Sequence, residues 1–89
     1  MGRGKIYKYE ITSDSFEYDM HEGTEYLSVQ IQNGVPCFWA LVDIDAKTIT
    51  RKFKIVGTGW DVNLEEDVHI GTWQDGPYVW HLFVIYPND

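Results

Sequence analysis

The residues best suited to chemistry lie in one segment, VHIGTWQDGPYVWHLF (68–83), which holds two histidines, two tryptophans and a tyrosine. Near neutral pH a histidine can act as an acid, a base or a metal ligand. However, neither His69 nor His81 has a carboxylate at a ligand-like spacing, and His21 is remote in the sequence. Metal binding and acid–base catalysis are therefore disfavoured. The favoured interpretation is that these histidines pack within an aromatic-rich β-hairpin.

The turn within this segment determines whether the two histidines could act together. Pro77 has no N–H to close a two-residue turn immediately before it, and it cannot adopt the left-handed conformation that ends a three-residue loop. A loop of four residues or more is therefore predicted, and a four-residue loop pairs Trp73 with Tyr78. In that register His69 and His81 point to opposite sides of the sheet, where they could not share a metal or a substrate. A loop one residue longer or shorter would reverse this.

Two other motifs have chemical interpretations that the sequence disfavours. Cys37 could be a nucleophile, but it lies in the middle of an apolar strand, so a buried free thiol is expected. The segment VGTGW (56–60) resembles a phosphate-binding loop, yet it lacks the third glycine, the lysine and the following helix. A β-bulge or tight turn is expected there instead. Without a catalytic constellation or a cofactor motif, we expect a protein that is not an enzyme and carries no cofactor or metal.

The aromatic residues are numerous enough to form a binding surface as well as a core. They make up 16% of the 89 residues, and exposed tryptophan and tyrosine rings are common anchors of protein interfaces and stacking surfaces for bases. Trp39 is predicted on a mixed face beside Ser28 and Gln30. The residues predicted to form a binding surface are these aromatics, one histidine and the basic residues of one strand: Trp39, Trp60, Trp73, Tyr78, Trp80, His69, Arg51, Lys52 and Lys54.

The charge pattern argues against general binding to nucleic acids. The net charge is −7, and all seven basic residues lie within two short segments, 3–8 and 47–54. Most of the surface would therefore repel a phosphate backbone. A local basic patch could form only if the two basic segments became neighbouring strands.

Length and composition predict one domain spanning residues 1–89. The start, MGRGKIYKYEI, has no apolar region of the kind found in signal peptides, and no stretch of the chain approaches the length of a membrane span. The single cysteine can form no internal disulfide. We therefore expect a cytoplasmic protein without membrane contact.

Alternation of apolar and polar residues, which is the pattern of half-buried strands, recurs along the whole chain. Residues 61–67 are predicted to form a loop that contains one helical turn. The fold is therefore predicted to be all-β, a compact antiparallel sandwich or small barrel of about seven strands. The strands are predicted at 5–11, 15–20, 26–32, 35–42, 48–56, 68–74 and 78–86.

Asn33-Gly34 is a strong signal for a type I′ hairpin turn, because both positions tolerate positive φ. The resulting register pairs Pro36 with Ile31 at a site without hydrogen bonds between the two strands, which implies an unpaired sheet edge on the far side of Pro36. The hairpin 26–42 is uncharged and bears aromatic residues. It is therefore a candidate surface for self-association, and we expect a homodimer.

Five segments together resemble a family of small uncharacterised proteins encoded mainly by phages and prophages: KIYKYEI, LSVQIQNGVPCFWALVD, KFKIVGTGW, HIGTW and VWHLFVI. The resemblance covers residues 5–85, and no catalytic residues carry over with it. It implies a phage-associated protein in the host cytoplasm. Small acidic proteins of this kind are often suspected of acting on host machinery or on host defence.

Three functions are compatible with these features. The first is an interaction protein that binds and modulates a host or phage protein. The second is a small-molecule binder, such as a sponge for a nucleotide signal, in which aromatic rings stack on the base; it requires strand 5–11 to lie beside strand 48–56. The third is a component of the virion or of its assembly. In the second case the phosphate would be bound by basic residues of these two strands, chosen from Lys5, Lys8, Arg51, Lys52 and Lys54.

Overall fold

The computed structural model describes residues 2–87, where seven antiparallel strands form two sheets. The strands are β1 (Gly4–Glu10), β2 (Ser15–His21), β3 (Glu25–Gln32), β4 (Val35–Asp43), β5 (Thr48–Gly57), β6 (Asp67–Asp75) and β7 (Tyr78–Ile85). All seven predicted strands are present, so the prediction of an all-β sandwich is confirmed. Within residues 2–87 no helix is long and apolar enough to span a membrane.

The two sheets face each other across one aromatic core. One sheet has three strands in the order β1-β4-β3, and the other has four in the order β2-β5-β7-β6. The largest fully buried side chains include Phe38 from the first sheet and Phe53 from the second. Their ring centroids lie 5.2 Å apart, and Phe16 stacks on Phe53 at 5.1 Å. Aromatic pairs at this spacing add to the free energy of area burial and join the two sheets.

The two basic segments lie in different sheets, because β1 pairs with β4 whereas β5 pairs with β2 and β7. They are therefore not neighbouring strands, and the local basic patch that such a neighbourhood would create does not form. The strand arrangement required for a nucleotide site of the predicted kind is likewise absent from the structure.

The first hairpin has the predicted turn and register. Asn33 and Gly34 have φ values of 52° and 80°, and Ile31 pairs with Pro36. However, the predicted unpaired edge beyond Pro36 is wrong, because β4 is the central strand of its sheet. The carbonyl oxygen of Pro36 accepts a hydrogen bond from the N–H of Ile11 at 2.9 Å, just past the end of β1. The missing proline N–H therefore marks the end of a strand ladder and not the edge of a sheet.

The second hairpin differs from the prediction of a loop of four or more residues. Its turn consists of Gly76 and Pro77 only, and Asp75 pairs directly with Tyr78. Gly76 has a φ of 58°, and the second turn position suits proline because its φ is negative in a type II′ turn. Tyr78, which follows the proline, has the N–H that closes the turn. Pro77 excludes a two-residue turn at residues 75 and 76, but it permits the observed two-residue turn at residues 76 and 77.

A β-bulge in β6 changes which side chains share a face. The register shifts between His69 and Gly71, so that His69 pairs with Phe83 while Thr72 pairs with His81. Without the extra residue, Ile70, His69 would point to the opposite side of the sheet. The bulge places both histidines on the outer face of the four-stranded sheet, and the prediction that they point to opposite sides is wrong.

Candidate functional site

Four of the predicted binding residues lie together at one end of the sandwich: Trp60, Trp73, Tyr78 and Trp80. We call this group the aromatic end. Trp73 and Trp80 are cross-strand partners. The Trp80 ring also stacks with Tyr78 at 5.7 Å and meets Trp60 edge-on at 5.8 Å. Exposure rises from 8% at Trp73 to 61% at Tyr78 and 62% at Trp60, so the group extends from the core to the surface.

A tight turn after β5 positions Trp60. The N–H of Trp60 donates to the carbonyl oxygen of Gly57 at 3.0 Å, and Gly59 has a φ of 91°, which favours glycine. The tight turn predicted for residues 56–60 is therefore confirmed. Gly57 pairs with Trp80 across the sheet, so the turn brings Trp60 back onto Trp80.

A cavity of about 230 Å³ opens beside Trp80, and we call it the end cavity. Its walls and rim are formed by Asp14, Pro36, Ile55, Trp73, Asp75 and Trp80. Pockets for drug-sized ligands have volumes of roughly 300–1,000 Å³, whereas a water molecule occupies about 30 Å³ in the liquid. The end cavity is therefore large enough for one side chain or a small organic group.

The rim of the end cavity is acidic. Asp14 precedes β2, and Asp75 ends β6 at the second hairpin turn. Among residues 2–87, neither carboxylate forms a hydrogen bond or an ion pair, and the lining contains no lysine or arginine. The cavity thus combines indole walls with two carboxylates that are available to a ligand.

Apolar surface at this end of the sandwich is left uncovered. Ile31 belongs to the inner face of β3, yet 46% of it is exposed, because the sandwich is open beside its partner Pro36. Trp60 and Tyr78 are more exposed still. Contiguous exposed apolar surface on a small domain is typical of a site that another molecule covers.

The basic residues predicted for the site lie elsewhere and are largely engaged. Arg51 lies over the ring of Tyr86, with 4.6 Å between its guanidinium carbon and the ring centroid. Tyr26 is close to both, and its pKa is raised by burial and further by Tyr86. Lys52 is exposed opposite Glu17 on β2.

Lys54 forms an ion pair with Asp67, whose side chain is only 2% exposed. Burial alone would raise the pKa of the Asp67 carboxyl group. Three interactions outweigh burial and lower this pKa. They are a hydrogen bond from Lys54, a hydrogen bond from the N–H of Asn63 at 2.8 Å, and the positive charge of Lys54. The ion pair therefore fixes the loop before β6 and leaves Lys54 occupied.

The histidines of the second hairpin form a polar chain on the outer face of the four-stranded sheet. His69 and His81 have ring centroids 6.0 Å apart. The Thr72 hydroxyl lies 3.1 Å from His69 Nε2 and 2.8 Å from His81 Nδ1, and Thr58 Oγ1 lies 2.8 Å from His81 Nε2. His69 is exposed and His81 is half-buried, so neither belongs to the core. Among residues 2–87 no three side chains of histidine, cysteine, aspartate or glutamate gather as metal ligands.

Trp39 and Cys37 lie on the outer face of the three-stranded sheet, away from the end cavity. Trp39 is half-buried, and its partners are Lys8 on β1 and Ser28 on β3. Cys37 is free and 1% exposed, as predicted for a buried thiol. Trp39 is therefore the one predicted tryptophan that does not join the aromatic end.

A second cavity, of about 290 Å³, lies at the opposite end of the sandwich, where β4 finishes. Two of its three charged residues, Arg3 and Asp43, already have partners, whereas the Glu25 carboxylate has none among residues 2–87. Arg3 forms an ion pair with Asp45 at 3.1 Å, and Asp43 accepts hydrogen bonds from two backbone N–H groups. This cavity therefore offers a ligand fewer carboxylates without a partner than the end cavity does.

Six residues of the end cavity and of the histidine chain were not predicted from the sequence. They are Asp14, Pro36, Ile55 and Asp75 at the end cavity, and Thr58 and Thr72 in the histidine chain. Asp14 precedes β2 and Asp75 ends β6, which are the two edge strands of the four-stranded sheet, and both residues line the end cavity. No local pattern signals that they line the same cavity.

The comparisons with known proteins identify a family without assigning a function. A family model described as a domain of unknown function, DUF7352, matches residues 3–89. No curated protein and no solved structure matches the chain.

Proposed function

The chain belongs to the DUF7352 family. We propose that it is a small interaction protein that binds another protein through its aromatic end. By its resemblance to phage and prophage proteins, the chain is encoded by a phage and acts in the host cytoplasm. Its partner is a host or phage protein whose activity it modulates by binding.

The observation that carries this proposal is the uncovered aromatic surface around the end cavity. Trp60 and Tyr78 are both more than half exposed, and each ring contacts Trp80. Large, rigid aromatic side chains beside a small pocket are the residues that contribute most to the affinity of protein interfaces. Tight turns hold the backbone next to both residues, so little backbone entropy is lost when a partner binds.

A nucleotide-binding role receives less support from the same geometry. It needs basic side chains next to the aromatic rings, but the lining of the end cavity has none. A thermal-shift screen against cyclic and linear nucleotides tests this alternative, because a ligand at about 100 times its Kd stabilises its target by about 2.7 kcal/mol. We expect no shift.

Affinity capture followed by direct binding measurements tests the proposal. The immobilised wild type is compared with a Trp60→Ala/Tyr78→Ala variant, and Leu64→Ala serves as a control at an exposed apolar residue outside the aromatic end. We expect the wild type and the control to retain the same partner and the double variant to lose it. With the purified partner, the double variant should bind at least about 30-fold more weakly, as expected for loss of interface anchors. Equal binding by all three proteins would overturn the proposal.

A role in the virion or its assembly is separated by a different measurement. Mass spectrometry of purified phage particles should not detect the protein if it acts as a free interaction protein. Its presence at a fixed copy number per particle would favour the structural role.

A further inference from the structure

We propose that the end cavity binds a cation, and that in the proposed complex this cation is an arginine or lysine side chain of the partner protein. The inference rests on the proposed function and adds to it the chemistry that the partner must present. It follows from three properties of the cavity: the charge of its rim, the nature of its walls and its volume.

The rim attracts positive charge. Asp14 and Asp75 both line the cavity, and neither has a hydrogen-bonding or ionic partner among residues 2–87. The chain has no lysine or arginine from Ile55 to its last residue, and Asp61 follows Trp60 directly. The net charge of −7 adds a long-range field of the same sign. A phosphate or carboxylate at this position would face two carboxylates without a compensating cation.

The walls suit a cation with an apolar stem. The indole rings of Trp73 and Trp80 are electron-rich surfaces that attract ammonium and guanidinium groups, and tryptophan is the strongest of the aromatic residues in this interaction. Ile55 and Pro36 complete the wall with apolar surface, against which the methylene groups of a long basic side chain can pack.

The volume suits one side chain. A cavity of about 230 Å³ is smaller than typical pockets for drug-sized ligands, which begin at roughly 300 Å³. Exposed apolar residues adjoin its lining, because Trp60 and Tyr78 contact Trp80 and Ile31 is the cross-strand partner of Pro36. This arrangement fits a protein partner that inserts one basic side chain into the cavity while its neighbouring residues cover the aromatic surface.

The first test uses small probes of matched shape. The indole N–H signals of Trp73 and Trp80 are followed by NMR, at constant ionic strength, during titration with acetyl-arginine amide, acetyl-lysine amide, neutral acetyl-citrulline amide and anionic acetyl-glutamate amide. We expect saturable shifts with the two cationic probes only. A response to citrulline equal to that of arginine, or a stronger response to glutamate, would overturn the inference. The relative affinities of the arginine and lysine probes identify which cation the cavity prefers.

The second test removes the charge of the rim without changing its shape. Asp14→Asn/Asp75→Asn should bind the arginine probe at least about tenfold more weakly, a loss of about 1.4 kcal/mol. The control, Glu17→Gln/Glu25→Gln, makes the same change in net charge at exposed positions outside the end cavity. Equal loss in both variants would show a general charge effect and overturn a specific site.

The same variants separate this inference from the proposed function. If Trp60→Ala/Tyr78→Ala abolishes partner binding while the asparagine variant binds normally, the interaction surface stands and the cation site falls. If the asparagine variant loses partner binding together with the arginine probe, both stand. If no variant affects partner binding, both fall.

Discussion

The ring of Trp60 packs directly on Gly57, and a Cβ atom added to Gly57 would lie 2.8 Å from the ring. Gly57→Ala should therefore displace the Trp60 side chain from its place beside Trp80. Because Trp60 is largely exposed and can move, we expect a stability loss below about 1 kcal/mol, together with weaker partner binding. Urea unfolding and binding assays measure the two effects. When Trp60 is already replaced by alanine, Gly57→Ala should change stability and binding little further. If Gly57→Ala has the same effect with and without the Trp60 ring, the direct contact between the two residues is contradicted.

Gly71 of β6 lies against Val29 of β3, which belongs to the other sheet. A Cβ atom at Gly71 would lie 2.6 Å from a methyl carbon of Val29 and 3.2 Å from its backbone nitrogen. Because Val29 is buried and the backbone cannot move freely, Gly71→Ala should cost about 1–3 kcal/mol in urea unfolding, as overpacking does in other cores. Val29→Ala should recover part of that loss. A double variant whose stability loss equals the sum of the two single losses would contradict a direct contact between Gly71 and Val29.

These two glycines illustrate which features could be predicted from the sequence. The strands and the Asn33-Gly34 turn depend on local alternation and on one dipeptide, so they could be predicted. The bulge beside Gly71 lies where that residue contacts Val29 in the other sheet, and no local pattern encodes this position. The faces of His69 and His81 were therefore predicted wrongly.

The same limit applies to the candidate site. Composition and hairpin position predicted aromatic binding residues, and three tryptophans and one tyrosine do meet. The acidic rim could not be predicted, because Asp14 and Asp75 flank opposite edge strands of the four-stranded sheet and line one cavity only in the folded sandwich. The inference from Pro36 failed for a related reason. A missing N–H is tolerated at the end of a ladder as well as at a sheet edge, and only the topology distinguishes the two.

The polar chain predicts one tautomer for His81. We predict that the Thr58 hydroxyl donates its hydrogen to the carbonyl oxygen of Val79, 3.4 Å away, and accepts a hydrogen bond from His81 Nε2 at 2.8 Å. Neutral His81 then carries its proton on Nε2, and Nδ1 accepts from Thr72. Nitrogen-15 NMR at alkaline pH should show this single tautomer.

Substitution of either threonine should disturb that preference. Thr58→Val removes the acceptor for Nε2, and Thr72→Val removes the donor to Nδ1, so both variants should show a mixture of tautomers. Thr50→Val is the control, because Thr50 lies on the same face but bonds Asp19. A mixture in the wild type, or no change in either variant, would contradict the chain of hydrogen bonds.

The homodimer predicted through the hairpin 26–42 cannot use an open edge beyond Pro36, so the surface left for it is the outer face of the three-stranded sheet. Ile6 and Leu41 are cross-strand partners that are 61% and 39% exposed, and Trp39 lies beside them with Lys8 as its partner. Trp39→Lys would place a charge in this apolar surface, where dimer formation would bury it, and should produce a monomer. Light scattering should find the wild type dimeric at high micromolar concentration. Leu64→Lys makes the same change at a position that is 90% exposed and should remain dimeric. A monomeric wild type would exclude this interface.

The lowered pKa of Asp67 predicts how stability depends on pH. A carboxyl group whose pKa falls on folding contributes stability that is complete above its ordinary pKa of 3.8 and is lost as the pH falls through the folded value. Above about pH 5, Asp67→Asn should therefore lower the free energy of unfolding by about 1–3 kcal/mol, because Lys54 and the N–H of Asn63 lose their charged acceptor.

The difference between the wild type and Asp67→Asn should shrink as the pH falls below about 4, because protonation of Asp67 removes the same interaction from the wild type. Urea unfolding of both proteins at a series of pH values from above about pH 5 to below about pH 4 measures this difference. Asp61→Asn changes the same charge in the same loop at an exposed carboxylate that makes no hydrogen bond among residues 2–87, so it should alter stability by less than about 0.5 kcal/mol at any pH. A constant difference between Asp67→Asn and the wild type at every pH would show that the ion pair with Lys54 does not lower the pKa of Asp67.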